Sequence, residues 1–438
     1  MKRRIGIGFL LAFIFFIALS YYFIASGLPA YFSIVKGDQS TILSKLPLSF
    51  NVSIEGMENL DLELNGESQQ NNYLVLSSGH QLTVKGDKVG TSSINFKLLG
   101  FIPIKSITVN IIPEVDVYPG GQAIGVLLRS KGVMVVGRSF VEGADGQRYY
   151  PAQEAGIEVG DVIVAINNQE INDKIELANL IQEISRAEGV VNLRVKRKNK
   201  LVEELALSAI KDKKGQYMIG LYVDDGVAGV GTLTFYEPKK GEYGALGHEI
   251  TEANSQSRIE VREGKIIEAR ISGINSGRKG LPGEKLGTFF HLDNVIGEIQ
   301  QNSKFGIFGK LNKNPVNPYF KKPIPVAPIS EVKRGPAKIY TVVEGGKIEE
   351  FDVKIERVNH QSLPRDKGMI INITDPRLKK ITGGIIQGMS GSPIVQNNKL
   401  VGAITHVFVN EPTRGYGVFA EWMLLQTDLY NQARASNY

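Results

Sequence analysis

The chain has 438 residues, 42% apolar and 22% charged, a globular balance that excludes wholesale disorder and a multi-span membrane protein and leaves room for two or three domains. It has no Cys and five His, which excludes a thiol nucleophile, a Cys-ligated metal and a disulfide framework, and limits any imidazole chemistry to His80, His248, His291, His360 and His406. The net charge is 51 − 45 = +6; Lys2, Arg3 and Arg4 supply three of these charges, and no basic stripe interleaved with aromatics follows, so no nucleic-acid partner is expected.

From Ile5 to Ile24, twenty residues carry no charge. A helix of that length spans about 30 Å, the thickness of a bilayer's hydrocarbon. The three preceding cations hold that end in the cytoplasm and place everything after about residue 30 outside. A cleavable signal peptide competes, given the small residues Ala25, Ser26, Gly27 and Ala30. Its apolar region is usually shorter, about 7–15 residues, so an uncleaved transmembrane helix within residues 1–30 is the expectation. Residues 36–115 alternate apolar and polar as strands do, clearly so at 48–54 and 107–111, and read as a small β module that spaces or docks the rest.

The pattern changes at Pro119. Residues 119–126, the apolar run 133–136, and Pro151 to Asn167 with its Ala155-Gly156 and Gly160-Asp161 steps resemble a PDZ domain over residues 116–210. The resemblance implies that Leu177, Leu180, Ile181 and Ile184, at helical spacing, lie on the groove-lining helix. It further implies that a basic-tipped hairpin near 191–207 closes the module, and that Gly120, Gly121, Ile124, Gly125 and Val126 form the loop that holds a peptide's terminal carboxylate. Peptide tails are the implied partners, captured by pairing with an exposed sheet edge. Asp161 and Asn167 read as turn formers.

Residues 212–438 read as a second, mainly β unit. Pro315, Pro318, Pro323, Pro325 and Pro328 crowd its midpoint, a linker composition that separates halves near 212–312 and 329–425. Two β-rich halves suggest paired barrels with a cleft between them. The sharpest motif is Gly388-Met389-Ser390-Gly391-Ser392-Pro393. Glycines on either side lift a hydroxyl clear of its backbone, and the N–H groups of Gly388 and Ser390 can point at one oxyanion. The hexapeptide resembles the nucleophile loop of chymotrypsin-like serine peptidases, which implies Ser390 as nucleophile and Gly388 as an oxyanion donor. Ser392 is the weaker nucleophile because it precedes Pro393.

Serine needs a base. His248 in Gly247-His248-Glu249, at a glycine-bracketed strand end in the first half, is the best of the five; His406, on an apolar strand after the serine, suits a core or supporting role. Residues 248–252 invite a zinc reading, but Glu252 stands where the second His of H-E-x-x-H belongs, so no metal or cofactor is expected. Asp375, fifteen residues before Ser390, is the carboxylate expected to orient the imidazole, with Asp293 as substitute.

Together with the runs 99–105, 384–393 and 405–410, this order of parts resembles the sporulation stage-IV protein B peptidase family over essentially the full length. The resemblance implies a serine endopeptidase exported from the forespore into the space between two membranes. It would cleave itself and a membrane-bound regulatory protein, releasing an intramembrane protease that processes a sigma-factor precursor. A PDZ domain that precedes the peptidase also separates the chain from heat-shock serine peptidases, in which the peptidase comes first. The competing expectation is a non-catalytic, membrane-anchored PDZ adaptor.

Overall fold

A computed structural model describes residues 29–435 apart from 44–49, 56–59, 65–66, 70–72, 77–81, 99–100, 198–199, 253–255, 290–293, 360 and 362. The expected membrane helix falls in residues 1–28, outside the described residues; among those described, no helix is long and apolar enough to cross a membrane.

The β module begins at β1 (Tyr31–Val35), which runs parallel to Ile102–Ile112 in a five-stranded sheet, beside a second sheet of four strands. The sheets meet closely at Gly86, where a Cβ would come within 2.8 Å of the Ile111 side chain. The module docks through β1. The Ser33 and Tyr31 hydroxyls donate to the Glu421 carboxylate at 2.6 and 2.9 Å, and the Ile329 N–H donates at 2.8 Å. Burial pushes the Glu421 carboxyl up, since removal from water disfavours its charged form.

The strand that decides the architecture is β2 (Ala123–Arg138), with Ile124, Val126 and Leu128 buried in alternation. After Ser130 the chain leaves the barrel and builds the PDZ domain. Its elements are α1 (Pro151–Glu154), β3 (Val162–Ile166), α2 (Lys174–Ala187), β4 (Val190–Arg197) and β5 (Lys200–Ser208). Helix α2 starts where Asp173 accepts from the Ile175 and Glu176 N–H groups, satisfying donors that the first turn leaves free, and it buries Leu177 and Ile181 against the sheet. Asp161 accepts from the Glu158 N–H and pairs with Arg197, so it is a turn and packing residue. The chain then returns along β6 (Leu221–Glu237), which pairs with β2 from Arg138↔Leu221 to Ala123↔Thr232.

The remaining strands of the first barrel are β7 (Glu242–Ala245), β8 (Val261–Asn275), β10 (Val295–Ser303) and β11 (Gly306–Leu311); β9 (Glu284–Phe289) branches from β8. Because β2 pairs with both β8 and β6, the ring β2-β8-β10-β11-β7-β6 closes. The expected boundary at residue 212 is thereby corrected: the first barrel already begins with β2, and the PDZ domain is inserted between its first two strands rather than preceding it. Such pairing across the insertion leaves no mark in local sequence.

The proline-rich segment crosses to a second closed barrel. Its strands are β12 (Gly335–Glu344), β13 (Lys347–Val358), β14 (Met369–Ile373), β15 (Pro393–Gln396), β16 (Lys399–Val407) and β17 (Arg414–Phe419). Two short helices flank it, α3 (Pro376–Thr382) and α4 (Ala420–Leu424). Phe351, Phe419 and Trp422 are fully buried in its core, and each such ring contributes on the order of 2 kcal/mol or more of apolar burial.

Candidate active site

A cleft of about 920 Å³ opens between the barrels, lined by His248, Asp366, Gly388, Ser390 and His406 among others. His248 follows β7 on a turn in which Leu246 and Gly247 take φ of 68° and 74°. Its Nδ1 lies 2.8 Å from the Glu249 carbonyl. A carbonyl only accepts, so Nδ1 carries the proton and Nε2 keeps its lone pair. Burial holds His248 below the ordinary imidazole range, against the opposing pull of the Glu249 carbonyl and the Asp366 charge. The His406 ring stands 5.0 Å from it, centre to centre. The cleft walls and the His248 ring push His406 down to about 4, although its outer side faces solvent.

The serine loop is held by the other barrel. From β6, the Thr232 hydroxyl donates to the Gly388 carbonyl (2.7 Å), the Thr232 N–H to the Ser390 carbonyl (2.9 Å), and the Thr234 hydroxyl to the Gly391 carbonyl (2.8 Å). Gly391 has φ of 93°, and a Cβ there would meet the Thr232 carbonyl at 2.0 Å; only glycine fits. The Met389 N–H donates to Ile386 and the Gly391 N–H to Ile404. The N–H groups of Gly388 and Ser390 have no protein acceptor among the described residues, the arrangement an oxyanion site requires. The Ser390 hydroxyl donates to the Thr405 carbonyl at 2.7 Å. Ser392 is fully buried, with its hydroxyl on the Met389 carbonyl at 2.6 Å.

Two expectations are corrected. Asp375 does not line the cleft. It caps α3, accepting from the Arg377 and Leu378 N–H groups and from the Arg377 guanidinium. Burial would raise its carboxyl, but these donors hold it below the usual carboxylate range. Two carboxylates line the cleft beside the imidazoles: Glu249, whose charge acts on His248, and Asp366, half-buried in the loop between β13 and β14, whose charge acts on His248 and His406 alike. Asp293 lies outside the described residues, as do His80, His291 and His360.

The second correction concerns the PDZ loop. The Gly120 and Gly121 N–H groups donate to the Thr234 and Leu233 carbonyls, each at 2.8 Å. Ile124, Gly125 and Val126 are paired on one side with Gly231, Val230 and Gly229, and on the other with Glu268, Ile267 and Ile266. Both edges are used, so no peptide can add there. These residues belong to the first barrel. The PDZ strand beside α2 is instead Leu221–Asp225 of β6, paired only with β2 among the described residues and tied to the helix by Lys174–Asp224 at 3.0 Å.

Residues 215–424 match the family model described as SpoIVB peptidase S55, and residues 145–197 match one described as a PDZ domain. Residues 215–424 are thus a SpoIVB peptidase S55 domain, and a PDZ domain lies within the same chain. Among solved structures, this S55 peptidase is similar to the Rv3671c protease in its inactive form, at 12% identity and a TM-score of 0.26 over 45% of this chain and 83% of that one. The active form from M. tuberculosis matches at 12% identity and a TM-score of 0.26, over 47% and 74%. The S55 peptidase is a serine peptidase.

Proposed function

We propose that Ser390 is the nucleophile of this cleft, His248 its general base and Asp366 the carboxylate that biases the imidazole, with the Gly388 and Ser390 N–H groups receiving the oxyanion. The observation that carries this reading is the convergence, from two barrels, of an imidazole with a free Nε2 lone pair and a glycine-framed serine on one cleft. The Ser390 hydroxyl turns from the Thr405 carbonyl toward His248 and gives its proton to Nε2 as the oxygen attacks the scissile carbonyl. Collapse of the tetrahedral intermediate expels the amine, which takes that proton, and water then releases the acyl group by the same route.

The family match and the charged-then-apolar amino terminus support an exported, membrane-tethered endopeptidase that cleaves itself and a membrane-bound regulatory protein to trigger sigma-factor activation in sporulation. Peptide tails bind the PDZ groove between α2 and Leu221–Asp225. The test compares self-cleavage and cleavage of a co-expressed membrane protein in the parent and in Ser390→Ala and His248→Ala forms; undiminished cleavage in both would sink the reading.

A further inference from the structure

Behind the nucleophile loop lies a buried lysine that the chemistry above does not use. Lys285 is 4% exposed. Its backbone is locked to the loop, because the Lys285 N–H donates to the Gln387 carbonyl at 3.0 Å and the Gln387 N–H to Gly283 at 2.8 Å. Its stem passes directly beneath Gly388, where a Cβ would stand 3.1 Å from Lys285 Cβ and Cδ. No carboxylate pairs with it among the described residues; burial alone pulls it down to about 7. Its Nζ meets the Thr341 hydroxyl at 2.7 Å, and that hydroxyl lies 3.0 Å from the Ser392 hydroxyl.

The Met389 carbonyl only accepts, so the Ser392 hydroxyl donates to it at 2.6 Å. The same hydroxyl is also within reach of Thr341 Oγ1 at 3.0 Å, which accepts from it and from Lys285 Nζ. Thr341 Oγ1 thus ties the lysine to the hydroxyl that holds the Met389 carbonyl. That carbonyl shares its peptide group with the Ser390 N–H, so what fixes the Ser392 hydroxyl also fixes the direction of that N–H.

We propose that Lys285 is a positioning residue of the oxyanion site, acting through Thr341 and Ser392 to hold the Met389–Ser390 peptide group so that its N–H points at the developing oxyanion. The proposal rests on Ser390 being the nucleophile, and the experiment separates the two. The full-length protein in detergent is labelled with a fluorophosphonate probe, whose phosphorus Ser390 Oγ attacks with loss of fluoride. Maximal labelling rate and half-saturating probe concentration are measured for the parent and for Lys285→Met, Thr341→Val, Thr341→Ser and the Lys285→Met/Thr341→Val double variant. Each of Lys285→Met and Thr341→Val lowers the maximal rate about tenfold with the half-saturating concentration unchanged. Thr341→Ser, which keeps the hydroxyl, labels like the parent, and the double variant is no slower than either single one. The melting temperature of Lys285→Met does not fall, because a buried amine with no carboxylate partner among the described residues is replaced by an apolar chain of similar size. Parental rates in both Lys285→Met and Thr341→Val, or losses that simply add, overturn the relay. Labelling of Ser390→Ala at the parental rate overturns the nucleophile itself; its absence there leaves Lys285 as the sole question.

Discussion

The first barrel is interrupted after one strand by the whole PDZ domain, whereas the second runs unbroken from Gly335 to Phe419. The second carries the nucleophile loop on a continuous apolar core centred on Phe351, Phe419 and Trp422. In the first, β6 has three duties along its 17 residues: edge of the PDZ domain, stave of the barrel, and clamp on the serine loop through Thr232 and Thr234. Changes in the first barrel therefore reach the serine loop directly, while the helix cap that Asp375 forms at the edge of the second barrel, away from the cleft, stays local.

The largest expected effects fall equally on the two barrels. Ser390→Ala and His248→Ala each reduce cleavage about 10⁴-fold or more, with little change in melting temperature; an active His248→Ala form would remove the first barrel from the chemistry. Next is Gly391→Ala, which combines a left-handed φ with contact against the Thr232 backbone and lowers unfolding free energy by about 3 kcal/mol or more in a urea titration. Thr232→Val and Thr234→Val each cost about 1–2 kcal/mol of stability and also slow acylation, because the loop loses its grip. Stability loss with unchanged kcat would break the claim that β6 shapes the site. Asp375→Ala loses about 1 kcal/mol as a helix cap with kcat of the folded protein near parental, whereas Asp366→Asn lowers kcat about tenfold; the reverse pattern would return the orienting role to Asp375.

The smallest effect is on pH. The lowered His248 value keeps the base neutral at pH 7, so the acid limb of kcat/KM lies below the ordinary imidazole value of about 6.5. Because the unfolded chain binds protons more readily than these two cleft imidazoles, stability is full above that value and falls as pH drops through the lowered His248 and His406 values. A melting temperature flat from pH 7 to 5 would contradict this.

That Ser390 and His248 share one cleft was legible because glycine-bracketed positions are chemically conspicuous. The PDZ signature around Ala155-Gly156 and Gly160-Asp161 was legible for the same reason: its turns demand particular residues. The Gly120–Val126 run misled because a groove strand and a barrel strand carry the same apolar alternation, and only its two-sided pairing tells them apart. Asp375 misled because an Asp before Pro serves a helix cap as readily as a triad. Asp366, in an ordinary polar loop, gives no local signal at all; its place in the cleft depends on a barrel closing around it.

The insertion also sets an order of events in folding. Strand β2 leaves the ribosome long before its partner β6, and Arg129 can meet Gly226 only once the intervening chain is complete. Closing so long a loop is entropically slow when it is floppy. A PDZ domain that folds on local contacts, burying Val133, Ile163 and Val195 in a core of its own, turns that loop into a rigid spacer and delivers the two strand ends side by side. Variants that weaken this core should therefore delay barrel closure, and with it the first appearance of an active enzyme, more than they shift its final stability.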